Sequence, residues 1–287
     1  MIPTTFDYQR ATSIDDALAK LQAASGGKFI AGGHSLVPLM KLRLSEPTVL
    51  IDVARIPGLA GIKEKDGKIE IGAGTTHRDV AASQLLRQVC PVVADTAIEI
   101  GDPQVRNRGT LGGSLAHADP AADYPTVVTA LGATITAAGA GGSREIAADE
   151  FFQGIFETAL QPGELLVSVA VPVQTSGTGG AYVKHRHPAS RYAVAGAAAV
   201  VSIQGGSCTA ARVAVGGVAA NPVVVTAAGE ALVGAAPSDE AIAAAAAHVA
   251  DALGEPLSDT YASGEYRLHL AEVLAKRALA AAFERAG

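Results

Sequence analysis

The stretch Phe29-Ile30-Ala31-Gly32-Gly33-His34-Ser35 decides how the first part of this chain folds. Phe29 and Ile30 are typical of the end of a short buried strand, and the apolar run Leu36–Met40 follows the turn. Paired glycines let the backbone adopt positive φ and approach a ligand closely. Successive exposed N–H groups in such a turn form a concave anion site. The stretch therefore predicts a strand, a ligand-binding turn and a return into a packed element.

A second glycine turn, Thr110-Leu111-Gly112-Gly113-Ser114, repeats this pattern. A single Gly-Gly pair usually marks only a turn. Two such turns that both carry hydroxyl residues favour a ligand with two adjacent phosphates. Neither is a P-loop, because no Gly-Lys-Ser/Thr follows, and Gly72-Ala73-Gly74 stops short of the dinucleotide spacing G-x-G-x-x-G. The P-loop and Rossmann interpretations are therefore excluded.

Composition narrows the class of protein further. The chain has 287 residues, of which 49% are hydrophobic and 17% charged, which is typical of a folded protein. The net charge of −6, without a basic run, disfavours nucleic-acid binding. Cys90 and Cys208 lie far apart and in no C-x-x-C pattern, so we expect neither a zinc or iron–sulfur site nor a disulfide framework. The first residues lack the features of a signal peptide, so we expect a cytoplasmic location.

Hydrophobic periodicity predicts a small first unit, a change of pattern from Leu59, and a later antiparallel meander followed by helices. Ser13–Leu21 reads as a capped amphipathic helix, and together with strands at 28–31 and 49–53 it gives the first fifty-odd residues a β-α-β pattern. Asp66-Gly67 is a strong two-residue turn signal inside the alternating segment 62–71. The best linker candidate is Thr175–Gly180. The remaining predictions are strands at 133–137, 165–171, 181–184, 194–203 and 210–218, and helices at 78–86, 92–100, 126–131, 238–253 and 263–284.

Several polar residues admit both a structural and a functional interpretation. His34, inside the first turn, is a structural hydrogen-bonding group, a phosphate donor or a covalent flavin attachment point. Asp119 and Asp123 are either helix caps or carboxylates that bind ribityl or ribose hydroxyls. Lys184 is a solvated strand-end charge unless a ligand approaches it, and Tyr192 either packs or stacks on a planar ligand. No Ser/His/Asp or Cys/His arrangement is present, so the chain is predicted to hold a redox cofactor that supplies the chemistry.

These motifs together resemble those of the medium, flavin-binding subunit of molybdenum hydroxylases, most closely its carbon monoxide dehydrogenase branch. Residues 31–43 are similar to the first FAD loop, and the segments 102–107, 109–114 and 118–123 to the second. Residues 184–186 and 190–193 match the start of the C-terminal domain, and 263–278 its last helix. The resemblance covers essentially the whole chain.

The resemblance implies a fold and its division into domains. The fold class is α+β: a PCMH-type (vanillyl-alcohol-oxidase-like) two-lobed FAD-binding domain, followed by a C-terminal antiparallel sheet with helices. We expect FAD-binding lobe 1 at residues 1–57, lobe 2 at 58–175 and the C-terminal domain at 180–287.

The resemblance also implies a set of FAD contacts. The two glycine turns would hold the diphosphate, and Asp123 would contact FAD. Leu166 and Lys184 would line the isoalloxazine region, and Tyr192 would approach the flavin ring. Ile100 occupies the position at which some relatives have an aromatic contact with FAD. The predicted cofactor-binding residues are Ala31, Gly32, Gly33, His34, Ser35, Ile100, Thr110, Leu111, Gly112, Gly113, Ser114, Asp123, Leu166, Lys184 and Tyr192. No catalytic or metal-binding residue is predicted in this chain.

The implied function is that of an oxidoreductase subunit. It would carry FAD and pass electrons from the [2Fe–2S] clusters of a partner subunit to an external acceptor. The expected partners are a large molybdopterin-binding subunit and a small [2Fe–2S] subunit, in a dimer of heterotrimers. Two alternatives remain: a stand-alone FAD-dependent oxidase with covalently linked flavin, and a non-catalytic nucleotide-binding assembly subunit.

Overall fold

The computed structural model describes residues 1–287 and begins with a small sheet of three parallel strands. The third strand in sequence lies in the centre and pairs with both others. The connecting helix begins after Ser13, whose side chain accepts a hydrogen bond from the Asp16 amide. The predicted β-α-β start is confirmed, but residues 7–10, all exposed, form an additional strand that the sequence did not predict. The elements are β1 (Asp7–Arg10), α1 (Ile14–Ala23), β2 (Gly27–Ile30), α2 (Leu36–Lys41) and β3 (Val49–Asp52).

The second sheet has five antiparallel strands in the order β4-β5-β10-β6-β7. The predicted hairpin is confirmed: Asp66 and Gly67 form its turn with φ of 53° and 72°, the conformation that two-residue hairpins favour. A separate pair of short strands, β8 and β9, precedes the central strand. The strands are β4 (Ile62–Lys65), β5 (Lys68–Gly72), β6 (Thr134–Gly139), β7 (Gly142–Ala147), β8 (Phe152–Gly154), β9 (Glu157–Thr158) and β10 (Leu165–Pro172).

Most of the helices of this second unit lie between β5 and β6 in sequence. The helix predicted over 78–86 is two helices, because Ser83 leaves helical geometry at ψ 115° and caps the second one. Its hydroxyl accepts a hydrogen bond from the Leu86 amide at 3.2 Å. The helices are α3 (His77–Ala82), α4 (Gln84–Val89), α5 (Pro91–Glu99), α6 (Pro103–Arg106), α7 (Leu111–His117), α8 (Asp123–Ala130) and α9 (Ala148–Phe151).

The C-terminal part is the predicted antiparallel meander with helices. Its first strand begins at Thr178, so the second half of the predicted linker 175–180 is strand. The helix predicted over 238–253 is two helices separated at Ala247 and His248. The elements are β11 (Thr178–Arg186), β12 (Ala193–Gln204), β13 (Ser207–Gly216), β14 (Val223–Val224), α10 (Thr226–Glu230), α11 (Asp239–Ala246), α12 (Val249–Ala252) and α13 (Gly264–Ala286).

Two hydrophobic cores hold these units together. The first spans both parallel and antiparallel sheets of the N-terminal part, and it also includes Ala198 and Ala214 on one face of the C-terminal sheet. The second fills the space between the opposite face of that sheet and α13. Small residues bring the layers close, since a Cβ at Gly179 would overlap the Ala282 carbonyl of α13. The α+β architecture expected from the sequence is confirmed, and no helix is long and apolar enough to cross a membrane.

Candidate functional site

A cavity of about 460 Å³ lies where the parallel sheet, the helices of the second unit and the β11–β12 loop meet. We call residues 31–35 loop 1 and residues 110–114 loop 2. All but two of the predicted cofactor-binding residues line this cavity: Ala31, Gly32, Gly33, His34, Ser35, Ile100, Thr110, Gly112, Gly113, Ser114, Asp123, Leu166 and Tyr192. The exceptions are Leu111 and Lys184.

Loop 1 presents a run of unpaired backbone donors. It connects the end of β2 to the start of α2, with Gly33 at φ 73°. None of the amide N–H groups of residues 31–35 donates a hydrogen bond within the protein, although His34 Nδ1 lies 3.1 Å from the Gly32 carbonyl oxygen. Partly buried amides without partners are rare in folded proteins. Loop 1 therefore has the donors that an anionic ligand requires.

The sequence predicted that loop 2 would also present free backbone donors, but most of its amides bond within the protein. The Leu111 amide donates to the Thr75 carbonyl (3.0 Å) and the Gly112 amide to that of Ala73 (2.9 Å). The amides of residues 113 and 114 both donate to Thr110, to its hydroxyl (3.1 Å) and its carbonyl (3.0 Å) respectively. The prediction of a second run of free backbone donors is thus wrong for residues 111–114, because the segment after β5 accepts from two of these amides and Thr110 from the other two. What it offers the cavity are the hydroxyls of Thr110 and Ser114.

Loop 1 is in direct contact with the segment just before loop 2 through Gly32, and loop 2 with the segment after β5 through Gly112. A Cβ at Gly32 would overlap the carbonyl oxygen of Arg108 and lie 2.8 Å from the Cα of Gly109. A Cβ at Gly112 would overlap Ala73. Close backbone approach of this kind is possible only for glycine. The paired glycines therefore set the distance between the loops and between loop 2 and the sheet.

Leu111 points away from the cavity. It is the first residue of α7 and is completely buried in the first hydrophobic core. Its side chain fills the core beneath the loop, so a contact of Leu111 with the cofactor, which stays a prediction, would have to come from its backbone. Leu166, in β10, does line the cavity. The carbonyl of the next residue, Val167, accepts a hydrogen bond from the Ala73 amide, which lies behind loop 2.

Lys184 is buried beside the cavity and does not line it. Its ammonium donates to the Asp123 carboxylate (2.9 Å) and to the carbonyls of Glu99 (3.0 Å) and Arg191 (2.7 Å). Its side chain is 2% exposed, and that of Asp123 5%. With all three donors used, Lys184 has none left for a ligand. The interpretation as a solvated strand-end charge is therefore wrong, whereas the place of Lys184 near the isoalloxazine ring stays a prediction.

Asp123 sits at the first position of α8 and receives a second hydrogen bond from the Tyr182 hydroxyl at 2.7 Å. Burial raises the pKa of this carboxyl, while the ammonium of Lys184 and the Tyr182 hydroxyl act in the opposite direction. The Lys184–Asp123 pair joins the end of α5, the start of α8 and the β11–β12 loop. It therefore fixes the wall of the cavity that contains Ile100, Asp123 and Arg191.

Tyr192 extends from the β11–β12 loop over loop 1. Burial raises the pKa of its phenol, the charge of Asp119 adds to this effect, and a hydrogen bond with the Ser35 hydroxyl opposes it. The ring thus connects the C-terminal part with the first glycine turn at the edge of the cavity. Arg106 donates to the carbonyls of Ile98, Ile100 and Gly101 and so holds the loop after α5.

His77 is a cavity residue that the sequence interpretation missed. It begins α3, is 5% exposed, and neither ring nitrogen makes a hydrogen bond within the protein. Its Nε2 lies 2.5 Å from the position that a Cβ at Gly109 would take, so it faces a glycine that also lines the cavity. The available signal was a histidine in the first turn of a helix that follows a glycine-rich strand end.

We expect His77 to make the protein sensitive to acid. Burial, together with the charges of His34 and Arg106, lowers the pKa of His77 from 6.5 to about 4. The unfolded chain therefore binds more protons than the folded one between these values, and stability falls as the pH drops through this window. The loss reaches about 3 kcal/mol below pH 4, from about 1.4 kcal/mol per pKa unit.

Urea denaturation of the wild type and of His77→Leu from pH 7 to pH 4 measures this effect. On acidification the variant should lose about 3 kcal/mol less stability than the wild type. Identical pH profiles for the two proteins would contradict the assignment.

Family comparisons agree with the geometry of the site. Residues 4–174 match the model described as the FAD binding domain in molybdopterin dehydrogenase, and residues 180–282 match the CO dehydrogenase flavoprotein C-terminal domain. The chain is 40% identical to the carbon monoxide dehydrogenase medium chain of Afipia carboxidovorans, over 100% of this chain and 99% of the relative. It is 41% identical to subunit alpha of the 6-hydroxypseudooxynicotine dehydrogenase complex of Paenarthrobacter nicotinovorans, over 100% of this chain and 97% of the relative.

Solved structures give the same result. A chain in the carbon monoxide dehydrogenase of Hydrogenophaga pseudoflava, in a form that lacks the Mo-pyranopterin moiety of its cofactor, is similar with a TM-score of 0.96. The identity is 41%, with 99% of each chain covered. The similarity thus includes both glycine loops and the C-terminal part.

Proposed function

Because the chain belongs to the family of FAD-binding subunits of molybdopterin dehydrogenases, we propose that its central cavity binds the FAD diphosphate between loop 1 and loop 2. The chain is the FAD-carrying subunit of a molybdenum hydroxylase and thus part of an oxidoreductase. The observation that supports the diphosphate position is the run of free amides in residues 31–35. Across the cavity, Thr110 and Ser114 supply hydroxyl donors.

The residues present fit this cofactor. A dinucleotide is long and combines an anionic centre with planar apolar ends. The cavity wall correspondingly combines loops 1 and 2 with apolar residues from five segments of the chain: Leu39, Leu59, Ile100, Leu160, Leu165 and Leu166. The glycines provide the close approach that a Cβ would block. When bound, FAD supplies the ability to take up electrons singly and to release them in pairs.

The chain's own residues bind and orient the cofactor in this proposal. Loop 1 amides neutralise the diphosphate, as aligned backbone dipoles do for other phosphates. Asp123 accepts hydrogen bonds from cofactor hydroxyls, and Tyr192 covers the flavin ring. Lys184 acts indirectly, by holding Asp123 and the carbonyl of Arg191 in place.

The domain boundaries follow the same proposal. Residues 1–57 form FAD-binding lobe 1, residues 58–175 lobe 2 and residues 180–287 the C-terminal domain. The separate core against α13 supports the boundary before residue 180, and the separate three-stranded and five-stranded sheets support the boundary between the lobes.

For the assembly, we propose a large molybdopterin-binding subunit and a small [2Fe–2S] subunit as partners, in a dimer of heterotrimers located in the cytoplasm. The support is that similar chains are named medium chains or subunits of complexes. Electrons would arrive from the partner's [2Fe–2S] clusters and leave to an external acceptor. Affinity purification followed by mass spectrometry should recover both partners. Recovery of this chain alone, loaded with flavin and active as an oxidase, would support the stand-alone alternative instead.

The mode of FAD attachment separates this proposal from the stand-alone oxidase with covalent flavin. We expect acid precipitation of the purified native assembly to leave a yellow supernatant, because the loops hold FAD by hydrogen bonds alone. His34 is the loop residue able to form a covalent link, and its Nδ1 already faces the Gly32 carbonyl. A yellow pellet that His34→Ala turns colourless would identify covalent attachment and contradict the expectation. Absence of flavin from both chain and assembly would remove the proposed function.

A further inference from the structure

His77 combines burial in the cavity wall with a complete lack of side-chain hydrogen bonds. A buried polar group without a partner destabilises a folded protein, and most buried groups are paired for that reason. At 5% exposure His77 is almost inaccessible, yet both its nitrogens are unpartnered. The fold therefore keeps a group in this place whose partner the protein itself does not provide.

The surroundings of the ring restrict what its partner can be. His77 lines the cavity together with Gly109, against which its Nε2 lies. On the other side, Tyr124 packs against it with the ring centroids 5.4 Å apart, and the Tyr124 hydroxyl is also buried and unpartnered. Since the pKa of His77 is lowered to about 4 by burial, the ring is neutral at physiological pH and has one N–H donor.

We propose that His77 is a cofactor-binding residue, whose Nε2–H donates a hydrogen bond to an oxygen of the bound FAD beside Gly109. This inference rests on the proposed position of FAD in the central cavity. In this arrangement the single proton of the neutral ring sits on Nε2, and the Tyr124 ring packs against the imidazole without a hydrogen bond to it.

If His77 binds FAD, replacing it should weaken FAD binding without lowering the stability of the FAD-free protein. His77→Leu removes an unpartnered buried group, so the FAD-free form should melt at the same or a higher temperature than the wild type. Binding of FAD should weaken about 2- to 13-fold, the range of an ordinary hydrogen bond. His77→Gln places an amide nitrogen near the position of Nε2, and its affinity should lie closer to that of the wild type than to that of His77→Leu.

The experiment uses the native assembly, from which FAD is released with a chaotropic salt and then titrated back while flavin fluorescence is recorded. Thermal melting of the FAD-free assembly is measured in parallel. Thr129→Val is the matched control, because the Thr129 hydroxyl is also buried and unpartnered but does not line the cavity. This control should bind FAD with wild-type affinity.

Two results would overturn the assignment. One is wild-type FAD affinity in His77→Leu. The other is a loss of affinity accompanied by a lower melting temperature of the FAD-free form, which identifies a structural role. Failure of the wild-type assembly itself to rebind FAD in this cavity, a different outcome, contradicts the proposed function as well.

Discussion

Replacing Gly32 by alanine is expected to reduce FAD affinity by more than about 100-fold. The effect is this large because several contacts with the cofactor are lost together, not a single hydrogen bond. The new Cβ would overlap the Arg108 carbonyl oxygen and lie 2.7 Å from its carbon and 2.8 Å from the Cα of Gly109. All three are backbone atoms, so no side-chain rotation relieves the overlap. Loop 1 and the segment before loop 2 must separate, and the groups on either side of the diphosphate no longer reach it together.

Flavin absorbance per purified chain measures this effect directly. Gly141→Ala is the matched control: it lies in the turn between β6 and β7, has ordinary φ, and its Cβ would meet nothing within 4 Å. Far-ultraviolet circular dichroism of Gly32→Ala should match that of the wild type, because the substitution affects the loop contact and leaves the sheets intact. A fully flavin-loaded Gly32→Ala protein would contradict the proposed position of the diphosphate.

Replacing Lys184 by methionine should destabilise the protein by about 3–5 kcal/mol, the usual result of leaving a buried carboxylate without its partner. Asp123 would keep only the Tyr182 hydroxyl, and the carbonyls of Glu99 and Arg191 would lose their donor. Three segments of the cavity wall are released together, so FAD content should fall as well. Urea denaturation followed by circular dichroism measures the loss of stability.

Two variants make this prediction specific. Lys184→Met combined with Asp123→Asn removes the uncompensated charge, and it should be more stable than the single variant. Lys63→Met removes an exposed ion pair with Glu70 and should change stability by about 1 kcal/mol or less. A Lys184→Met protein as stable as Lys63→Met would show that the buried pair does not hold the cavity wall.

The sequence predicted the parts of the site that depend on local chemistry. Gly-Gly pairs mark the loops because the backbone there must pass close to other atoms, and the Asp66-Gly67 turn marks its hairpin for a similar reason. Strand and helix patterns located most elements within a few residues. The C-terminal meander was visible from alternating apolar residues, although its alanines alone do not show which helix packs on which face.

The features that the sequence did not predict depend on tertiary contacts. The amides of loop 2 are occupied by Ala73, Thr75 and Thr110, and no local pattern indicates that Thr75 lies beside this turn. Lys184 looked like a strand-end surface charge, but two of its three acceptors lie 61 and 85 positions away in sequence. His77 carries no local sign that it lacks hydrogen-bond partners in the folded chain.

The most direct test of the proposed site is an experimental structure of the native assembly with FAD bound. We expect oxygens of the diphosphate within hydrogen-bond distance of at least two amides of residues 31–35 and of the Thr110 or Ser114 hydroxyl. A diphosphate that contacts only one of the two loops, or that lies outside the cavity between them, would contradict this arrangement.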